Sequence, residues 1–258
     1  TSLVVIGVPA SNYWNPFGPV TFANGQANPN RLANLTNVPA SGLPVTFTNY
    51  RFNDLGPNKV EVENYQTRFL GGLKGEKWGW SWDSALLYSK ADAKDESDGI
   101  DSAKLAASLA LSTPDAYNPF NGGCLDGTGG GDCTPSSKAA LDAIRFRLKR
   151  HSTTTLTLAD FKVSKKDLFK LPGGDVGFAA GVEYRRETYK DDRDDRLDGT
   201  IKYTNSVTGV TYGTDVMGAS GAPDIKGDRS IVSAFFEFAI PVISPEMNIP
   251  FVEEISLQ

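Results

Sequence analysis

The sequence predicts an all-β fold: an antiparallel up-and-down meander forming part of a large transmembrane β-barrel, with short helices in long extracellular loops. Three observations carry this. Several segments alternate large apolar with small or polar side chains at a period of two, the spacing of a strand with one apolar face. Aromatic residues recur on the apolar side, as in the interfacial girdles of membrane barrels. Short connections at 74 to 77, 171 to 175 and 241 to 250 alternate with long ones at 9 to 44, 90 to 152 and 190 to 228. A barrel with one turn rim and one loop rim has that asymmetry, whereas a soluble β-sandwich, the competing reading, does not require it.

The chain of 258 residues is long enough for one all-β domain or two smaller ones. With Lys+Arg 26 against Asp+Glu 31 it is mildly acidic, which argues against a nucleic-acid partner. No stretch has the roughly 18 to 20 uninterrupted apolar residues of a membrane helix, so a membrane-embedded chain would have to cross with strands. The start at Thr1 without a secretory signal fits mature numbering or a fragment. Cys124 and Cys133 close the short polar loop CLDGTGGGDC, and a local disulfide is expected there over two free thiols; zinc would need four ligands.

Leu3 to Val8 reads as the end of a strand, followed by an Asn-, Gly- and Pro-rich loop to Gly42. Val45 to Phe52 and Val60 to Leu73 are the next strands. Trp78 to Ser89 then places Trp78, Trp80, Trp82, Leu86 and Tyr88 on one parity. Gly75-Glu76 fits a two-residue hairpin turn, and that register sets Leu73 opposite Trp78, Gly71 opposite Trp80, Phe69 opposite Trp82 and Tyr65 opposite Leu86. It also pairs Arg68 with Asp83 on the other face. ADAKDESDGID reads as a solvated acidic run, and Asp101 to Ser112 and Ser136 to Arg150 have helical spacing. Thr153 to Phe169 is a Thr-rich strand whose parity breaks between Leu158 and Phe161, which a bulge, or a strand end among Lys165, Lys166 and Asp167, would explain. LPGGD is a tight turn into Val176, Phe178, Ala180, Val182 and Tyr184, opposed by Gly177, Ala179, Gly181, Glu183, Arg185 and Glu187. A polar loop runs to about Gly227, with a possible small hairpin around TNSVTG. Ser230 to Ile240 is a strand carrying Phe236 and Phe238, Pro241 to Pro250 is a turn, and a last strand begins at Phe251.

Five stretches, in this order, together resemble the barrel of TonB-dependent outer-membrane receptors: SNYWNPFG, GLKGEKWGWSWDSALLYS, AYNPFNGG, LPGGDVGFAAGVEYRRETY and RSIVSAFFEFAIPV. The resemblance spans almost the whole chain, residues 1–258, as a partial barrel domain without the plug domain. It implies a Gram-negative outer-membrane location and energised uptake of a scarce ligand such as an iron chelate, a vitamin or an oligosaccharide. The implied partners are outer-membrane lipid, the plug of an intact receptor and, through it, TonB. No cofactor is implied.

Side chains are then assigned by face and loop. Trp78, Trp80, Trp82, Phe178, Tyr184, Phe236 and Phe238 are expected to face lipid. Arg68, Asp83, Glu183, Arg185 and Glu187 are expected to face the lumen, as plug contacts, a polar path or simply a hydrated wall. Tyr13, Trp14, Phe17, Tyr117 and Phe120 are candidate ligand contacts in the long loops; the alternative is that the two NPF motifs are loop-packing anchors. His151, the sole histidine, sits at a helix-to-strand junction where exposure is expected rather than catalysis. GASGA is not a nucleophile elbow and GTGGGD follows no strand, so no enzyme is expected and no metal site is assigned. Two other classes remain: a small closed barrel serving as adhesin or pore, whose first and last strands would pair, and a soluble sandwich with Trp78, Trp80 and Trp82 in a dry core.

Overall fold

The protein is an antiparallel β structure with two short helices, described by a computed structural model over residues 4–124 and 132–258. In chain order the strands are β1 (Val4–Val8), β2 (Val45–Tyr50), β3 (Val60–Lys77), β4 (Trp80–Ile100), β5 (Arg145–Leu171), β6 (Gly174–Arg193), β7 (Tyr203–Thr204), β8 (Thr211–Tyr212), β9 (Ile225–Ile243) and β10 (Ile255–Leu257). The helices α1 (Ser102–Leu109) and α2 (Lys138–Ile144) lie between β4 and β5. One sheet has the order β10-β9-β6-β5-β4-β3, and β1-β2 and β7-β8 form two-stranded sheets. The large sheet is open, with β3 and β10 at its edges. Its five long strands run from 18 to 27 residues, where strands of globular proteins usually have about 5–6.

Two compact units divide the chain. One holds residues up to 62, 94–150 and 192–224; the other holds 63–93, 151–191 and 225–258. The buried core belongs to the first unit. Ile6 and Val8 of β1, Phe52, Leu105 and Leu109 of α1, Tyr117 and Ile144 of α2 cluster there. Helix α1 starts because the Asp101 side chain accepts the Lys104 N–H at 2.9 Å, and Leu105 and Leu109 then share one buried face. Ser137 caps α2 in the same way through the Ala140 N–H, and Ala140 and Ile144 are its buried face.

Three sequence expectations change here. The helix expected to Arg150 ends at Ile144, and β5 begins at Arg145. From that point Arg145, Arg147 and Lys149 alternate with Phe146 and Leu148, a period of two that overrides the helical spacing before it. The acidic run after Ser89 is not a loop but the far half of β4. Its carboxylates sit in a strand because β5 supplies the opposite charge: Arg147 lies 3.2 Å from Asp98 and 3.5 Å from Glu96, and Lys149 lies 3.6 Å from Glu96. The parity break in β5 does not end the strand, which continues to Leu171.

The first hairpin also turns later than expected. Gly75 and Glu76 lie inside β3, and the two-residue turn is Trp78-Gly79, with φ of 56° and 77°. Two successive left-handed residues make the turn whose twist matches the flanking strands. The expected cross-strand pairs are therefore wrong, including Arg68 with Asp83. A Cβ on Gly75 would meet the Trp82 ring at 2.7 Å, Gly72 lies against Ala85, and the Asp98 N–H donates to Lys59 O. Extended along the strands, this register sets Asp83 opposite Lys74 and Arg68 opposite Ser89. The displacement is by an even number of residues, so every side chain keeps the face that alternation gives it.

Candidate functional site

The register of the second unit divides its side chains into two faces. Between β6 and β9, Phe178 pairs with Phe238, Ala180 with Phe236, Val182 with Ala234 and Tyr184 with Val232. Trp80 joins this face edge-on to Phe178, with ring centroids 6.0 Å apart, and Lys165 of β5 reaches over Trp80. The alternate set pairs Ala179 with Glu237, Gly181 with Phe235, Glu183 with Ser233, Arg185 with Ile231 and Glu187 with Arg229. Between β6 and β9 one face is thus apolar, while the other is small or charged apart from Phe235 and Ile231.

Among the described residues no second layer covers most of this apolar surface; Val176, next to the β5–β6 turn, is its buried member. Phe236 and Val232 are each 77% exposed, and Leu73, Phe69 and Leu86 are also exposed. Its extent is regular: the runs Trp80–Tyr88, Val176–Tyr184 and Val232–Ile240 are each about nine residues long, the number a tilted strand needs to cross a hydrocarbon core. Towards the long loops each run gives way to polar residues, Lys90 and Asp92 in β4, Arg186, Thr188 and Lys190 in β6, and Asp228 and Lys226 in β9. Trp78 departs from the expected set. It stands in the hairpin turn with the Lys77 ammonium 4.3 Å from its ring centroid, not on the strand with Trp80 and Trp82.

The polar face is crowded where the apolar face is open. A Cβ on Gly181 would stand 2.4 Å from the Phe235 ring and 3.1 Å from Lys162, so only hydrogen fits. Arg229 Nε donates to Glu187 at 2.6 Å. Arg185 Nε lies 3.4 Å from Glu187 without hydrogen-bond geometry, which leaves a buried N–H with no hydrogen-bond partner among the described residues. A cleft of about 480 Å³ opens on this face among Gln66, Ser89, Thr154, Tyr189, Glu187 and Arg229. Such a lining can hydrogen-bond water or a polar surface.

The loop aromatics have a different fate from the one expected of ligand contacts. Tyr117 is fully buried, its hydroxyl donating to Asp54 at 2.9 Å and lying 3.0 Å from that of Tyr50. Burial pushes its phenol pKa far above the ordinary range, so it stays a neutral donor. Trp14 Nε1 donates to Ala116 O at 3.0 Å, tying the first long loop to the second. Tyr13 and Phe17 are partly buried, and Phe120 packs on Phe47 at 5.3 Å.

Both NPF motifs are anchors built on asparagine. Asn15 Oδ1 accepts the Phe17 N–H and its amide donates to Pro9 O and Leu43 O. Asn118 Oδ1 accepts the Phe120 N–H and its amide donates to Asp132 and to Thr134 O. The side chain mimics a backbone turn at each site. Asn118→Ala is expected to destabilise this unit by about 1–3 kcal/mol, since the Phe120 N–H loses its acceptor and Asp132 and Thr134 O lose their donor. Faster amide exchange around 117 to 120 checks it. The asparagines were the residues to single out, and their signal was the repeated Asn-Pro step.

His151 is exposed, with Nε2 3.2 Å from Asp92, and Thr153 donates to the same carboxylate at 2.7 Å. Among the described residues no group of three or more potential metal ligands occurs, and no helix is long and apolar enough to cross a membrane. Cys133 is disulfide-bonded; the Cys124 side chain lies outside the described residues. No family model, curated protein or solved structure matches the chain.

Proposed function

We propose that the chain is part of the wall of an outer-membrane β-barrel of the TonB-dependent receptor kind, which takes up a scarce ligand by energised transport. The observation that carries this reading is the exposed apolar surface, about nine residues deep on β4, β6 and β9, strands that continue well beyond it as charged strand. A water-soluble protein gains nothing from leaving Phe236 and Val232 bare, and a bilayer turns that exposure into burial. The charged face, with Glu183, Arg185, Glu187, Arg68 and Asp83, then lines a hydrated interior or meets a plug. The open edges at β3 and β10 suit a wall that continues into further strands; a small closed barrel would pair its ends.

The test reads the tryptophans. The chain is folded into vesicles whose lipids carry bromine at defined acyl depths, and strong quenching of Trp80 and Trp82 is expected in a chain carrying Trp14→Phe and Trp78→Phe. A chain that stays monodisperse without detergent and shows no quenching would be a soluble binding module, and the proposal would fall.

A further inference from the structure

On the polar face Tyr189 stands beside empty space. Gly227 lies directly opposite it across the β6–β9 pair, and a Cβ on Gly227 would meet nothing within 4 Å. On the other side, the register that sets Thr155 beside Thr188 and Lys162 beside Gly181 places Thr154 opposite the same tyrosine. Tyr189 is accordingly 39% exposed, and the space beside it belongs to the cleft of about 480 Å³ that Gln66, Ser89, Thr154, Glu187 and Arg229 also line. Cavities of that size hold small ligands. A β-branched residue opposite the ring would stabilise the sheet, and glycine forgoes that contact.

The charges bordering the cleft are already matched. Glu187 accepts from Arg229 Nε at 2.6 Å, and Asp228 lies 3.6 Å from Arg186. An ionic ligand would have to break one of these pairs. A neutral ligand keeps them and uses what they leave over: the outer N–H groups of the exposed Arg229 fork, and beside them a carboxylate that accepts. Gln66 Nε2 donates to Ser89 Oγ at 3.5 Å, which leaves an amide carbonyl and a hydroxyl proton in the same cleft. Donors and acceptors thus stand together beside an uncovered aromatic ring.

Resting on the membrane reading above, which makes this face the wet one, we infer that the cleft is a subsite for an uncharged, polyhydroxylated ligand of sugar-ring size. Adjacent hydroxyls each donate and accept, which matches the Arg229–Glu187 pair. The C–H side of the sugar ring lies over Gly227, against the negative face of the Tyr189 ring.

The experiment uses the chain in an amine-oxide detergent, which has no sugar headgroup. It is titrated by calorimetry with the neutral probes maltohexaose, cellohexaose, mannohexaose and xylohexaose, and with the polyanion hexagalacturonate. Saturable binding of at least one neutral probe is expected. Gly227→Val should weaken it by about tenfold or more by filling the space beside Tyr189, without lowering the unfolding midpoint, because the new pair with Tyr189 is favourable. Tyr189→Ala should weaken it by about fivefold. Gly71→Val, at a glycine whose Cβ also meets nothing but which shares the face of Gly75 and Trp82, should leave it unchanged. No saturable binding of any neutral probe, undiminished binding by either the Gly227 or the Tyr189 variant, or tighter binding of hexagalacturonate overturns the subsite; the membrane reading then stands if brominated lipids still quench Trp80 and Trp82. Sugar binding that responds to both variants in a chain that needs no detergent and shows no quenching overturns the membrane reading and not the cleft.

Discussion

Replacing Arg196 with methionine is expected to destabilise the loop-built unit by about 3–5 kcal/mol, because it strands two buried carboxylates. Arg196 Nη1 lies 2.5 Å from Asp101 and 3.1 Å from Asp215, both nearly inaccessible, and its guanidinium stacks 4.8 Å from the Phe146 ring. The acids cannot simply be released. Asp101 caps α1, and Asp215 accepts the Ala103 N–H while its own carbonyl accepts the Ser102 N–H. Burial, with the Asp101 charge as the second cause, raises the Asp215 pKa above the ordinary carboxylate value. The sign follows from linkage: a raised folded pKa means that the folded state holds the proton more tightly. Its contribution to stability is complete below the unfolded carboxylate pKa and is lost as pH rises through the folded value. At neutral pH the Asp215 charge is therefore carried at a cost, which Arg196 only partly offsets. Asp215→Asn is expected to match or exceed the unaltered chain at neutral pH, and the Arg196→Met defect should shrink on acidification. Amide exchange in α1 reads both, with protection in Arg196→Met lower by roughly 10²- to 10⁴-fold. A loss below tenfold would mean that the carboxylates find water instead.

The faces of the sheet could be read from alternation alone, because side-chain direction depends only on parity. Phe178, Tyr184, Phe236 and Phe238 are indeed on one side, and Glu183, Arg185 and Glu187 on the other. Register could not be read the same way. Gly-Glu at 75 and 76 has favourable turn chemistry, but a tryptophan with positive φ at 78 is stericly disfavoured and no propensity argument selects it. Strand length was hidden for another reason. Beyond Tyr88 the residues are Ser, Lys, Asp and Glu, which look like loop until the matching cations of Arg147 and Lys149 on β5 are placed beside them, and that match is non-local. The loop unit was the least legible. Tyr117 looked like an exposed aromatic among polar residues because the Asp54 and Tyr50 groups that receive it lie more than 60 positions away.

Phe236→Arg is expected to cost about 2–4 kcal/mol in a chain folded into lipid vesicles, the penalty for a cation near the bilayer midplane. Phe236 is the right position for this because it lies in the middle of the run Val232–Ile240, opposite Ala180. Trp80 is a poorer choice, since it directly follows the Trp78-Gly79 turn and so stands at the rim, where the penalty falls to about 0–1 kcal/mol. The control is Ser233→Arg on the same strand, whose parity puts it beside Glu183 on the polar face; there the added cation meets a carboxylate, and a change within about 0.5 kcal/mol is expected. Urea titration of vesicle-folded chains measures both. The contrast separates three situations that a single variant would merge. A large loss at 236 with none at 233 places lipid on the aromatic side. Small losses at both mean that the aromatic side meets water, since a residue already 77% exposed pays little for a charge in solvent. A large loss at 233 with none at 236 would invert the wall, putting Glu183 and Arg185 towards the hydrocarbon, which the desolvation of two charges makes untenable for a folded strand.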